Sequence, residues 1–401
     1  MSMPAASPAL NMVNTVNTIN TINTVNPESS EDPRFDDIRP CRDDEVRQAL
    51  EQVMADKAVI SGILRFRYPF LARHFSFVLV PLVRQILRRR VANIHTIADF
   101  QRRVADFVEH MLETTTDGAE FVGFDRLKPG RGYLFISNHR DISLDPALID
   151  IALYRAGLDT VRIAIGDNLL RTPAASSLMR LNKSFIVKRS VIAPRDRLKV
   201  FNELSDYIGL SIAEGHSVWI AEREGRAKDG DDRTEEALLK MLGLRGRRLK
   251  VDFASYIASL NLVPVSITYE YDPNDLSKAR ELEERERHQG EYHKEALEDL
   301  DTIAAGIRGY KGRVRLVAGE PLISGFTNSA ELAALIDRFI WENYAIYPSA
   351  LLSAGESAGV DEAARLKFAA RLESYPAGLR ERVRAMYAKP LKNRREAGIQ
   401  G

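Results

Sequence analysis

The sequence predicts an α/β fold: a mixed, mostly parallel sheet flanked by helices, with an N-terminal helical segment before it and a C-terminal helical tail behind it. Two observations predict this. From residue 118 onward, short apolar runs alternate with amphipathic stretches of helical period, the pattern by which strand–helix units build a sheet. On either side, Arg42 to His110 and Asp361 to Tyr387 read as helices by period. At 401 residues the chain is long for one core, which favours one large α/β domain with appended helices over two equal domains. The resulting division is a disordered low-complexity N-terminus over 1–40, a basic helical segment over 41–117, the α/β domain over 118–350 and a helical tail over 351–401.

Taken in order, the first 26 residues hold an Asn-Thr near-repeat, Val13 to Asn26, and no basic residue precedes Arg34. A secretory signal needs a positive stretch before an apolar core, so this tract is not one. Its polar composition buries too little apolar surface to offset the entropy of ordering, so disorder is expected. From Lys57 to Ala98 there is no acidic residue, while Arg65, Arg67, Arg73, Arg84 and Arg88-Arg89-Arg90 surround the apolar run Phe75 to Val83. Nine residues are too few for a bilayer core that takes about 20, but aromatic and aliphatic side chains mixed with arginines suit a segment lying on an anionic membrane surface. The plainer reading is a helical pair packed on the α/β domain with solvated arginines. The predicted strands are Tyr133–Ser137, Val161–Ile165, Phe185–Lys188, Ser217–Ala221, Val263–Tyr269 and Arg313–Ala318, with helices such as Pro146–Ala156, Arg195–Ala213 and Val251–Leu260 between them. Residues 273–300, rich in Glu, Arg and Lys, read as a solvated insertion, and the tail ends in the basic stretch Lys389 to Arg394.

Composition narrows the function classes. A formal net charge of +1 argues against a nucleic-acid binder built on global basicity. The single cysteine, Cys41, can form neither an internal disulfide nor a cysteine-based zinc site, which fits a reducing compartment. The seven histidines lie far apart with no H-E-x-x-H-like pair, so neither a metal nor a bound cofactor is expected. No uninterrupted apolar run reaches about 18 residues, so the expected location is cytoplasmic, peripheral on the inner membrane surface.

The chemistry concentrates at two strand ends. Tyr133 to Ser137 delivers Ser137-Asn-His-Arg-Asp-Ile-Ser-Leu-Asp-Pro146, a strand-to-helix turn carrying His139, Asp141 and Asp145. An imidazole, with an unperturbed pKa of about 6.5, takes a proton from an alcohol at neutral pH, and a neighbouring carboxylate fixes its tautomer and stabilises the imidazolium. Either carboxylate is a candidate partner; Asp145, placed before Pro146, also has the position of a helix N-cap. The second strand end is Val218-Trp-Ile-Ala-Glu-Arg-Glu-Gly-Arg-Ala-Lys-Asp-Gly230. There Gly225 lets a ligand approach the backbone, and Arg226 and Lys228 offer charge-assisted bonds to a phosphate. The bland alternative for Arg226 is a surface ion pair with Glu222 or Asp229. No Gly-x-Ser-x-Gly elbow is present. His139-Arg140-Asp141 echoes a kinase catalytic loop, but the fifth position after Asp141 is Pro146 and no Asp-Phe-Gly follows.

These blocks resemble the glycerolipid acyltransferase family, the 1-acylglycerol-3-phosphate and glycerol-3-phosphate acyltransferases, over roughly residues 118 to 325. The His139 turn is similar to the family's N-H-x-S-x-x-D, with one residue more between His139 and Asp145. Glu224-Gly225 matches the family's F-P-E-G-T-R-S, with the arginine one position early at Arg226. Lys183 to Ser190, with Arg189, is similar to the second block, Val263-Pro-Val265 to the fourth, and Val314 to Pro321 to the closing strand. The resemblance implies transfer of a fatty acyl group from acyl-CoA or acyl carrier protein to the hydroxyl of a glycerol-phosphate or lysophospholipid. It makes His139 the base, Asp145 its partner by alignment of the following Pro-Ala-Leu, with Asp141 as the alternative, and Arg189, Glu224, Gly225 and Arg226 the phosphate site. The partners implied are a phosphorylated lipid acceptor, the acyl donor and an anionic membrane surface, and no nucleic acid. The competing class is a non-catalytic lipid-binding or membrane-scaffold protein on the same fold, favoured if no carboxylate reaches His139.

Overall fold

The computed structural model describes residues 28–399 except 68, 171, 192, 293 and 295–297, so the Asn-Thr repeat lies outside the described residues. The side chains at 63, 65–69 and 71–78 also lie outside them, among them Phe75 to Val78 of the apolar run. Four helices come first: α1 (Val46–Ala55), α2 (Lys57–Arg67), α3 (Pro69–Arg90) and α4 (Ile97–Thr115). The strands are β1 (Ala119–Val122), β2 (Leu134–Ser137), β3 (Arg162–Gly166), β4 (Ser184–Val187), β5 (Val218–Ala221), β6 (Leu262–Tyr269) and β7 (Val314–Ala318). Between them run α5 (Leu144–Arg155), α6 (Pro173–Leu181), α7 (Pro194–Ala213), α8 (Glu236–Leu242), α9 (Leu244–Arg248), α10 (Phe253–Ser259), α11 (Asp275–Arg287) and α12 (Glu298–Arg308). After β7 come α13 (Ser329–Asn343), α14 (Pro348–Ser353), α15 (Glu362–Glu373) and α16 (Ala377–Glu396).

The strands form one seven-stranded sheet in the order β1-β7-β6-β2-β5-β3-β4. All neighbours are parallel except β6 and β7, so the sheet is mixed and mostly parallel. The sequence reading omits β1, a four-residue edge strand too short to show alternation and with Glu120 turned to solvent. Residues 28–40, grouped by that reading with the low-complexity tract, belong to the fold. Phe35 and Ile38 are buried, Phe35 meets Tyr207 edge-on at 5.3 Å, and the Ile38 carbonyl accepts the Ile186 N–H of β4 at 2.9 Å.

The period of two along each strand splits the core into two layers. Leu134 and Ile136 of β2 and Val218 and Ile220 of β5 face α7, α8 and α13, where Tyr207, Ile208, Leu239 and Ile336 meet them. Phe135, Trp219, Val263 and Val265 face the opposite way, onto α5 and α4 through Leu148, Ile149, Ile151 and Met111. Each such side chain contributes roughly 1.5–3 kcal/mol by leaving water. Because β2 lies between β5 and β6 and is covered on both faces, its only way out is at its ends. Ligand crevices of parallel sheets open at the carboxyl ends of the strands, and both chemical motifs sit there.

Candidate active site

At the end of β2 the ladder is continued by a side chain. Asn138 donates from Nδ2 to the Ile267 carbonyl at 3.0 Å and accepts the Ile267 N–H at 2.8 Å, which ties the start of the turn to β6. The next residue is His139. Its Nδ1 lies 2.8 Å from Asp145 Oδ2, and that oxygen also accepts the backbone N–H groups of Arg140 at 2.6 Å and Asp141 at 2.9 Å. The other oxygen, Oδ1, accepts the hydroxyl of Tyr269 at 2.8 Å. Asp145 is fully buried, and these four donors fill the lone pairs that burial takes away from water. With the carboxylate accepting Nδ1–H, the lone pair is left on Nε2, which has no hydrogen-bond partner among the described residues. Trp219 packs against the ring at 5.7 Å with an interplanar angle of 70°, fixing its tilt.

The structure brings Asp145, not Asp141, to the imidazole. Asp141 Oδ1 accepts the N–H groups of Ser143 and Leu144, each at 3.0 Å, and its Oδ2 accepts Asn274 Nδ2 at 3.0 Å. It is Asp141 that satisfies the open N–H groups at the start of α5, which corrects the expectation that Asp145 caps a helix beginning at Pro146. The helix begins at Leu144, so Asp145 lies inside its first turn. Burial, and then the charge of Asp145, push the Asp141 carboxyl above the usual carboxylate range. A methyl group on Gly306 would come within 2.4 Å of Asp141 Oδ2, so the glycine makes room for the extra residue of this turn.

His139 lines a cavity of about 790 Å³ that also takes in Arg189, Arg223, Glu224, Gly225, Arg226 and Lys228. Gly225 has φ +76°, a left-handed conformation that glycine adopts without strain. Arg226 forms no ion pair with Glu222 or Asp229 among the described residues, and its buried Nη1 has no hydrogen-bond partner; nor does the buried Nε of Arg223. Orphaned guanidinium nitrogens on a cavity wall are donors waiting for an anion. Arg189 reaches Glu224 at 3.5 Å, while Lys228 is already engaged by the buried Glu281 of α11. Glu222 turns away from this loop into the interior. Its carboxyl has no partner, and burial, then Asp232 and Asp337, push it well above the usual range. The rest of the lining includes an apolar set from three strands and two helices: Ala164, Ile165, Val187, Phe201, Leu204, Ile220, Leu238 and Met241.

The insertion over 273–300 is not the plain solvated segment that its charges suggest. Leu282, Arg285, Lys294 and Asp299 line the same cavity, and Asp275, Lys278, Ala279 and Glu281 of α11 are buried. Its charges are satisfied inward, Lys278 by Asp272 and Glu281 by Lys228 and Arg285. Sequence periodicity cannot separate such internal pairs from a solvated face. Sequence reasoning also missed Tyr269, Trp219 and Arg140. Arg140 is buried, paired with Asp232, and stacked over the Tyr344 ring at 5.3 Å. Among the described residues no group of three or more His, Cys, Asp or Glu is arranged to hold a metal ion.

No curated protein gives a significant match to the chain. Among solved structures it is similar to the crystal structure of the 1-acyl-sn-glycerophosphate (LPA) acyltransferase PlsC from Thermotoga maritima. That similarity is at 16% identity and a TM-score of 0.35, with 71% of this chain and 95% of that chain covered, a likeness too distant to carry an argument. Residues 118–267, from β1 through most of β6, contain both the His139 turn and the Glu224-Gly225-Arg226 loop, and they match the family model described as Acyltransferase. Over these residues the chain is similar to the acyltransferase family.

Proposed function

We propose that the domain moves a fatty acyl group from a thioester donor, acyl-CoA or acyl carrier protein, to the hydroxyl of a glycerol-phosphate or lysophospholipid acceptor, as a step of phospholipid biosynthesis. One observation carries this reading: an imidazole whose Nδ1 is tied to a buried carboxylate lines the same cavity as the unpaired guanidinium nitrogen of Arg226. A thioester is already activated, so the protein has to orient the alcohol and remove its proton. The acceptor oxygen attacks the carbonyl carbon as its proton passes to His139 Nε2, and Asp145 stabilises the imidazolium. The C–S bond then breaks, and the departing thiolate takes the proton back, leaving the imidazole neutral for the next cycle. Arg226, with Arg189 and the open backbone at Gly225, holds the acceptor phosphate. Lys228 contributes to that site through its bond to Glu281 rather than as a free cation. The apolar set from β3, β4, β5, α7 and α8 receives the acyl chain.

A non-catalytic lipid-binding role would be favoured by a histidine without a carboxylate, and the 2.8 Å contact with Asp145 weighs against it. The test is an assay of purified protein with a panel of acyl-CoA and acyl-carrier donors and phosphorylated acceptors, read by mass spectrometry. Acylated product is expected from the wild type, with a loss of about 10²-fold or more in His139→Ala at unchanged thermal stability. Turnover by His139→Ala at the wild-type rate would remove His139 from the mechanism.

A further inference from the structure

The catalytic turn is held from outside the acyltransferase-family segment. Helix α11 begins beyond residue 267, and its Lys278, only 2% exposed, donates from Nζ to the Arg140 carbonyl at 2.6 Å. The N–H on the far side of that same peptide, that of Asp141, donates to Asp145 Oδ2 at 2.9 Å. One peptide unit therefore bridges an ammonium and a carboxylate, with its dipole aligned to both. Hydrogen bonds in such a chain polarise one another, most strongly where water is excluded. Lys278 is itself fixed by an ion pair with Asp272. Asn274, just before α11, holds Asp141 Oδ2 at 3.0 Å, so the extra residue between His139 and Asp145 is clamped on both sides. The start of α11 is in turn tied to the tail. Asp275 accepts bonds from Arg371 of α15, from Tyr375 in the turn that follows it and from Tyr387 of α16, each at 2.8 Å.

We propose that Lys278 is a positioning residue for acyl transfer: acting through the Arg140–Asp141 peptide, it orients the N–H that holds Asp145 against His139. The inference rests on His139 being the base. It explains why a turn one residue longer than the family pattern still brings the carboxylate to the imidazole.

Two variants separate positioning from plain structural support. Lys278→Gln removes the charge and keeps a donor on a side chain one bond shorter. Lys278→Met/Asp272→Asn removes both members of the buried pair and so leaves no orphaned charge behind. Both are expected to lower kcat by about tenfold or more, with KM for acyl donor and acceptor within twofold, since neither residue lines the cavity. The double variant should recover most of the thermal stability that a lone Lys278→Met loses, without recovering kcat. A double variant with wild-type kcat overturns the proposal, and so does a loss confined to KM or one that tracks Tm. His139→Ala run in parallel keeps the two readings apart. If it is inactive while the double variant is normal, only the role of Lys278 falls; if it is fully active, the base falls and Lys278 with it. Should the double variant not fold, Lys278→Gln decides alone.

Discussion

Two aspartates four residues apart divide the labour of one turn. Asp145 gives its oxygens to His139, two backbone N–H groups and Tyr269, whereas Asp141 gives its own to the opening of α5 and to Asn274. The substitutions should therefore separate. Asp145→Asn keeps an acceptor for Nδ1–H but loses the charge that stabilises the imidazolium, so kcat should fall by about tenfold or more while Tm changes little. Asp141→Ala removes a cap generally worth about 1 kcal/mol and leaves Asn274 Nδ2 with only the Thr302 carbonyl, so its effect should fall on Tm, with kcat at a permissive temperature within a few-fold of wild type. Melting curves beside initial rates check this. The reverse ranking would make Asp141 the working partner. The sequence put both residues forward, and the family resemblance favoured Asp145 as the partner of His139, where the structure has it; the cap it assigned wrongly, because Asp-Pro is an N-cap signature wherever it stands and only the three-dimensional start of α5 shows which carboxylate the N–H groups meet.

At the scale of elements, α5 shows how a buried helix stores a pH dependence. It runs between the sheet and α4 with almost no polar face, yet it carries Asp150, 6% exposed, which accepts the Val161 N–H at 2.8 Å. Burial raises this carboxyl to about 7, against the opposing pull of that bond and of Lys183. Since its folded pKa lies above the unfolded one of about 3.9, the fold binds the proton more tightly, and the stability this brings is present at low pH and lost as pH rises toward 7. Asp150→Asn, which keeps the acceptor and removes the titration, should raise Tm by a few degrees near pH 8 and leave it nearly unchanged near pH 4, on the order of 1 kcal/mol or more. A variant with the same shift at both pH values would show that Asp150 is not titrating in this range. Elements of this kind were legible in the sequence wherever apolar period and burial coincide: the six predicted strands all lie on observed ones, and the long helices α4, α7 and α16 follow their periods. What the sequence hid was β1, too short for a period to appear, and α11, whose inward-paired charges imitate a solvated surface.

At the scale of the whole molecule, the N-terminal helices present two different sides. Helix α3 covers 22 residues, about 33 Å at 1.5 Å per residue, and no helix among the described residues is long and apolar enough to cross a membrane. One side of α3 packs inward, with Val80, Val83 and Leu87 meeting Val53, Met54 and Ile60 of α1 and α2. Another side leaves Leu82 51% and Ile86 43% exposed, one turn apart, with Arg88, Arg89 and Arg90 exposed at the helix end. Large apolar side chains left in water beside a cluster of arginines fit a helix lying in an anionic lipid surface, where the lysophospholipid acceptor of the proposed reaction would also be met. Each basic residue near such a surface contributes roughly 1 kcal/mol, screened over about 8 Å at physiological salt. Replacing Arg88, Arg89 and Arg90 by glutamine should accordingly weaken pelleting with phosphatidylserine vesicles, and raising salt should do the same to the wild type. Turnover of a short-chain soluble acceptor should stay within twofold, because none of the three arginines lines the His139 cavity. Pelleting that is equal on neutral and anionic vesicles, indifferent to salt and to the triple substitution, would leave apolar insertion through Leu82 and Ile86 as the whole of the attraction. Absence of pelleting on either would return α2 and α3 to a helical pair whose arginines simply face water.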